Sequence, residues 1–403
     1  MTASAASSLP TPRHAAGRSL VFILGALTVI GPFAIDMYLP ALPQIGRDLG
    51  ADVGTVQLTL SVFLLGLAAG QAFLGPMVDR WGRRWPLLIS LGFFVVAAVG
   101  CALARSMAAL LAWRLVMSLG AAASMVVPRA VVRDHYNERD SARMYSLLML
   151  ILGVSPIFAP SIGGQLIGLT GWRGIFWVLA GLGIGCAVAV AWILPEPPAT
   201  AVRSAGGFGR ALRTYWGLLK DPRFLGPALV AGFMVGAIFC YLTGSSFVLI
   251  ELHGLTPKQY ALAFGFIGVG LIVASQVNRL LVGRFPVRTV LAAALIGLVV
   301  VGLALVVAGQ TGWGGLPLLL VLLLLNLSAG GIVSPNIAAI VMAPFGEIAG
   351  SASALIGTIQ FGVGAAAGAL VGVFHNGTAL PMTAGIAGCA LASFVVWRTV
   401  GEG

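Results

Sequence analysis

Twelve apolar stretches leave this chain few ways to fold. They are Ser19 to Leu39, Thr55 to Leu74, Trp85 to Leu103, Ala108 to Val127, Ser141 to Gly168 and Trp172 to Leu194, then Phe224 to Ile250, Gln259 to Val282, Val287 to Val307, Leu316 to Met342, Ile348 to Phe374 and Ala379 to Trp397. A helix of about 20 apolar residues spans the hydrocarbon core of a bilayer. Inside lipid the backbone must satisfy its own polar groups, which forces each stretch to be helical. Only 9% of the 403 residues are charged, against roughly 25% in soluble domains. The fold class expected is an all-α polytopic membrane protein with twelve transmembrane helices in two sets of six.

The division falls at the longest polar stretch. Pro195, Pro197 and Pro198 break the pattern, and Arg203, Arg210, Arg213, Lys220 and Arg223 follow. The expected organisation is a tail at 1–18, a first bundle at 19–194, a central loop at 195–223 and a second bundle at 224–403. No small-residue cleavage site follows the first apolar run, so that run is expected to be retained as a helix.

Orientation follows from the basic residues. With the N-terminus inside, 18 of the 23 Lys and Arg residues fall on inner segments. Outer loops hold only Arg47, Arg105, Arg173 and Lys258, while Arg114 lies within the fourth span. Both termini and the central loop are therefore expected on the cytoplasmic side. The net charge of +11 fits basic loops facing an anionic leaflet. No aromatic-interleaved basic patch points to nucleic acid. Cys101, Cys186, Cys240 and Cys389 each sit inside an apolar run, as small packing residues do.

A charge in the bilayer core costs at least ~2.5–3.5 kcal/mol. Of the twelve acidic residues, only Asp36 falls within a span, near the end of the first. Arg114 is its basic counterpart in the fourth. Two readings of each stand at this point. Asp36 is either a helix-end residue at headgroup level or a titrating acid in a central cavity. Arg114 either snorkels outward or faces that cavity beside Asp36. Softer polar groups within spans include Gln57, Asn278, Asn336 and Gln360, and aromatic residues include Phe239, Tyr241 and Phe264. Asp36, Gln57, Met117, Phe158, Phe239, Tyr241, Phe264, Asn336 and Gln360 are the expected lining of a mostly apolar cavity, suited to a bulky, weakly charged solute.

Between the second and third spans lies Gly75–Pro76–Met77–Val78–Asp79–Arg80–Trp81–Gly82–Arg83–Arg84, read as a tight polar turn. Its arginines would anchor the inner side. Asp79, with Arg133 after the fourth span as a partner, would make the turn a gate.

These residues carry a resemblance. The turn resembles the signature between the second and third helices of the major facilitator superfamily. Asp36–Met37–Tyr38–Leu39–Pro40–Ala41–Leu42–Pro43 is similar to the first-helix signature of its drug:proton antiporters, especially the Bcr/CflA branch that includes bicyclomycin-resistance proteins. Gly153–Val154–Ser155–Pro156–Ile157–Phe158–Ala159–Pro160–Ser161–Ile162–Gly163–Gly164 resembles the antiporter motif of the fifth helix, with Ala159 where members often have Gly. Arg114 resembles the start of the fourth-helix motif, with Met117 and Ser118 replacing the usual Gln/Gly pair. The resemblance implies two pseudo-symmetric six-helix bundles around a central cavity that opens alternately to each side. It implies a bacterial inner-membrane exporter of drug-like compounds, driven by exchange for protons, acting as a monomer and needing no cofactor. Asp36 would be the coupling acid and Arg114 its electrostatic partner. Gly75, Asp79, Arg80, Gly82, Arg83, Arg84 and Arg133 would form the cytoplasmic gate. Gly153, Pro156, Pro160, Gly163 and Gly164 would shape the fifth helix.

Other classes lack their chemistry. His14, His135, His253 and His375 are scattered, with no metal-ligand spacing and no nucleophile–base pair that an enzyme would need. No phosphate-binding GxxxxGK[ST] loop occurs. The alternative that remains is an exporter of an endogenous metabolite on the same fold.

Overall fold

The structure is a computed structural model that describes residues 18–135, 138–194 and 208–400. Among these residues there is no strand. The first half comprises α1 (Arg18–Asp36), the short α2 (Leu42–Leu49), α3 (Val53–Trp81), α4 (Arg84–Leu103), α5 (Met107–His135) and the long α6 (Glu138–Ile193). After α7 (Phe208–Lys220), the second half comprises α8 (Pro222–Ser246), α9 (Pro257–Val282), α10 (Val287–Thr311), α11 (Gly315–Ser328), α12 (Gly330–Met342), α13 (Ala349–Val373) and α14 (Leu380–Val400). Eleven helical stretches among the described residues are long and apolar enough to cross a membrane. One of them has 44 residues and bends at Gly171, where φ is 70°, so it crosses twice. The α11–α12 stretch makes one crossing, broken at Ala329. The protein is thus a multi-pass, all-α membrane protein with twelve crossings in two six-helix bundles.

The bundles meet along two seams, α3 against α13 and α6 against α9. Side chains that water would not tolerate face outward, as in Trp192 (86% exposed) and Leu169 (81%). Lipid is the solvent for such a surface. Trp81 and Trp85 are also exposed at a span end, where amphipathic rings sit at headgroup level. The end carrying the termini and the arginine-rich turns is called the basic end below, and the opposite end the far end.

Helix starts use side chains that replace missing intrahelical partners. Asp52 caps α3, accepting from Thr55 N at 2.9 Å and Thr55 Oγ1 at 2.6 Å. These bonds hold its carboxyl below the usual carboxylate range. Thr256 and Gln259 form a reciprocal capping box on α9. At the far end, Asp48 of α2 accepts from Trp172 Nε1 at 2.8 Å, and Arg173 donates to Ala104 O at 3.1 Å. Those contacts staple the α6 bend to α2 and to the loop after α4.

Three expectations change. The stretch 75–84 is not a ten-residue turn, because α3 stays helical through Trp81. The turn is Gly82 and Arg83 alone, with Gly82 at φ 84°, a conformation that favours glycine. The central segment holds a helix where a loop was expected. Within α7, Leu218 is buried with Phe224 in the second half's core, while Leu212 and Trp216 are exposed. A helix of this kind lies on a membrane surface. The outer connection after Asp36 is also helical, as α2.

Gly163 fixes how closely α6 approaches α1. A Cβ at that position would collide with the Met37 carbonyl oxygen, a backbone atom that cannot swing away. Gly163→Ala is expected to cost about 1–3 kcal/mol by overpacking. It should lower the apparent unfolding temperature in detergent, and an unchanged temperature would show that the two helices are free to separate.

Candidate functional site

A cavity of about 260 Å³ lies between the two halves. The first half supplies Pro32, Ile35 and Asp36 from α1, Leu67 from α3, Met125 from α5, and Leu152 and Pro156 from α6. The second half supplies Ile238, Phe239, Tyr241 and Leu242 from α8, Phe264, Ile267 and Leu271 from α9, Leu327 from α11 and Phe361 from α13. The wall is apolar apart from Asp36 and Tyr241. Aromatic faces dominate the second half's side: Tyr241 stacks on Phe264 with centroids 5.6 Å apart, and Phe239 lies 6.2 Å from Phe361.

Asp36 occupies the last residue of α1. The chain then turns through Leu39–Ala41, which carries Pro40. The carboxylate is buried, with no hydrogen-bond or ion-pair partner among the described residues. It also stands at the negative end of the helix dipole. The Tyr241 hydroxyl, on the facing wall, is likewise buried without a hydrogen-bond partner among the described residues. Neighbouring Tyr260 is satisfied by Ser245 at 2.9 Å. An ionised carboxylate in such a place is costly unless a proton, a cation or water accompanies it.

Arg114 is completely buried. Its guanidinium lies between two rings, 4.5 Å from the Tyr38 centroid and 4.2 Å from that of Phe63. Nη1 donates to Ala34 O at 2.8 Å, one of the carbonyls left open at the end of α1. Arg114 therefore caps the helix whose last residue is Asp36, and no ion pair between the two is present. Tyr38 is held in turn by Thr59 at 3.0 Å. The snorkelling reading of Arg114 does not describe this geometry.

The other sequence-derived positions separate. Phe239, Tyr241 and Phe264 line the cavity with Asp36. Gln57 lies in a second cavity at the far end. Met117 is fully buried within the first half. Phe158 is exposed beside a groove with Val29 and Phe33. Asn336 exchanges hydrogen bonds with Asn278 at 2.8 and 3.4 Å, fastening α12 to α9. Gln360 is partly buried on α13, outside the cavity's lining. Of the fifth-helix motif, Pro156 lines the cavity, Pro160 is buried, and Gly153 faces Ile272 across the halves. Gly164 stands where a Cβ would lie 3.2 Å from Pro257 O, so the motif forms much of the α6–α9 seam.

At the basic end, Gly75, Asp79, Arg80 and Arg133 lie outside the residues whose side chains are described. Arg83 donates to Val78 O at 2.6 Å, and Arg84 donates to Ala191 O of α6. Both bonds stay within the first half. Sequence reasoning missed Phe63, Met125 and Phe361. Tyr38 was inside the quoted first-helix motif but carried no assigned role. Phe63 and Arg114 could have been paired only by knowing how α3 and α5 are rotated against each other.

Lysine cannot reproduce a planar guanidinium held between two rings and a carbonyl. Arg114→Lys is expected to cost about 1–3 kcal/mol through the unsatisfied Ala34 carbonyl. The readout is a fall in apparent unfolding temperature; no fall would remove the capping role.

Comparison with known proteins agrees with this architecture. The model of the Major Facilitator Superfamily matches residues 24–369. An uncharacterized MFS-type transporter, YdgK of Bacillus subtilis, is 35% identical over 368 residues, covering 91% of each chain. A bicyclomycin resistance protein homolog of Haemophilus influenzae is 30% identical over 379 residues, covering 94% of each. The xylose transporter XylE of E. coli superposes with a TM-score of 0.73 at 13% identity, over 95% of this chain and 97% of that one. At that identity the likeness concerns the fold. The chain belongs to the Major Facilitator Superfamily and is a membrane transporter, not an enzyme, similar to bicyclomycin-resistance proteins.

Proposed function

We propose that the protein exports drug-like compounds from a bacterial cell across the inner membrane, in exchange for protons. The observation that carries this reading is a single carboxylate, Asp36, unpaired among the described residues, in a cavity enclosed by both halves whose wall is otherwise apolar save for the Tyr241 hydroxyl. A weakly charged, bulky solute fits such a wall by apolar and aromatic contact. Similarity to a bicyclomycin resistance protein homolog supports a drug as the substrate class.

Asp36 binds a proton or the cationic part of a solute, but not both. Arriving protons displace solute on the outside, and release of the proton inside readies the site for the next one. Arg114, bonded to the Ala34 carbonyl, stabilises the end of α1 and biases the charge state of Asp36. The stacked pair Tyr241–Phe264 receives the solute from the other half, so occupation couples the two bundles. Alternating access then follows from rocking of the halves about the α3–α13 and α6–α9 seams. The energy source is the proton gradient, and no cofactor enters. The chain works as a monomer, with the basic end and both termini in the cytoplasm. Asp79, at the helical end of α3, closes that end when the cavity faces outward.

Asp36→Asn keeps the shape of the site and removes its charge. In everted vesicles its drug export driven by a pH gradient should fall to background while the protein still inserts; retained coupling would refute the role of Asp36. Asp79→Ala should slow export without weakening drug binding, and an unaltered rate would return Asp79 to a helix-end residue.

A further inference from the structure

The proposed export chemistry at Asp36 does not use the recess at the far end. That recess has a volume of about 390 Å³, against about 260 Å³ for the central cavity, and lies within the range of small-molecule sites. The two share no lining residue. Its walls come from both halves: Leu42, Pro43 and Arg47 of α2 and Val56 of α3 on one side, Phe247 and Glu251 on the other.

Leu42, Pro43 and Val56 are buried and make the wall apolar, while Arg47 and Glu251 are exposed. The two charges line one recess, yet no ion pair joins them among the described residues. The acids nearest to Arg47 in sequence are engaged elsewhere. Asp48 is held by Trp172 and Arg173, and Asp52 caps α3 through Thr55.

The second half's wall is built for position. Phe247 and Glu251 lie on a wide helical turn of the π type, Phe247–Leu252, which continues α8. Such turns are rare and collect at functional sites. His253 Nδ1 meets Val248 O at 2.7 Å and closes the turn. His375, just past the end of α13, meets the Phe247 ring edge to face with centroids 4.4 Å apart. The ring is thus fixed from behind by a different element.

Opposite charges that face one recess without meeting leave a place for a molecule that carries both. A solute with a cation alone would gain Glu251 and be repelled by Arg47, and an anion alone would meet the reverse. A guanidinium takes a carboxylate through two parallel hydrogen bonds, and an aromatic body gains most where a ring and aliphatic side chains cover it.

We infer that the far-end recess is a second binding site, for zwitterionic aromatic solutes. The carboxylate goes to Arg47, the ammonium to Glu251, and the ring against Phe247, Leu42 and Pro43. Because the walls belong to both halves, an occupant favours the arrangement seen here over any in which those walls part. The site does not depend on the role proposed for Asp36.

The test uses the full chain in lipid nanodiscs and norfloxacin, a fluorescent zwitterion with an amine at one end and a carboxylate at the other. Fluorescence anisotropy follows its binding. Arg47→Gln and Glu251→Gln should each raise Kd about tenfold and, since both side chains are exposed, leave the apparent unfolding temperature unchanged. Norfloxacin methyl ester, a cation, and N-acetylnorfloxacin, an anion, should each bind the parent protein about tenfold more weakly than norfloxacin. The preference for norfloxacin over its ester should vanish in Arg47→Gln. No binding, equal binding of zwitterion and ester, a preference that survives Arg47→Gln, or binding that Asp36→Asn removes and Arg47→Gln leaves intact would each overturn the site. None of these readouts requires export, so this site and the export reading can fail separately.

Discussion

A guanidinium with no access to solvent can persist inside a bundle only where the bundle supplies its solvation. Arg114 donates one hydrogen bond, from Nη1 to the Ala34 carbonyl, and meets the faces of Tyr38 and Phe63; its Nε and Nη2 have no hydrogen-bond partner among the described residues. The arrangement binds α5 to the end of α1 and to α3 at one point. It also places a positive charge at the negative end of α1, where the chain has put an acid. Gly163 completes this construction by letting α6 press its backbone on Met37, the next residue. Three helices thereby hold one carboxylate at the wall of the cavity.

Much of this was legible in the sequence. The spans were, because lipid permits only helices and sets their length. Asp36, Tyr241, Phe239 and Phe264 were legible as polar or aromatic residues within spans, and the structure brings them to one cavity. Gln57, Phe158, Asn336 and Gln360 were chosen on the same grounds, and Met117 stood in the partial fourth-helix motif; all five lie elsewhere. The reason is physical. A helix apolar on every side carries no signal for which face meets lipid and which meets protein, so residue type is known while rotation is not. The helices α2 and α7 were missed for a related reason: each is short and charged at intervals, and resembles a loop until its apolar side finds a surface. Leu218 shows the point, since its burial depends on Phe224 and the second half's core.

The two halves divide the chemistry unequally. The first supplies the acid and the buried arginine, the second supplies the aromatic wall. Along α6 and α9 the seam is apolar, with Pro156 and Ile157 against Gly265 and Gly268. Along α3 and α13 it is glycine-lined and polar. The two seams thus differ in chemistry although each joins the same pair of bundles.

The bonds of the turn after α3 have a mechanical meaning. Arg83 and Arg84 both tie back into their own bundle, to Val78 and to Ala191. Both bonds fasten the turn to the bundle that carries it, so its shape is set by α3, α4 and α6 together. In the second bundle, Asn278 and Asn336 lock α9 to α12 in the same fashion. Each bundle thus carries polar fastenings of its own, while glycines line the seam between them at Gly368 and Gly372 on one side and at Gly265 and Gly268 on the other.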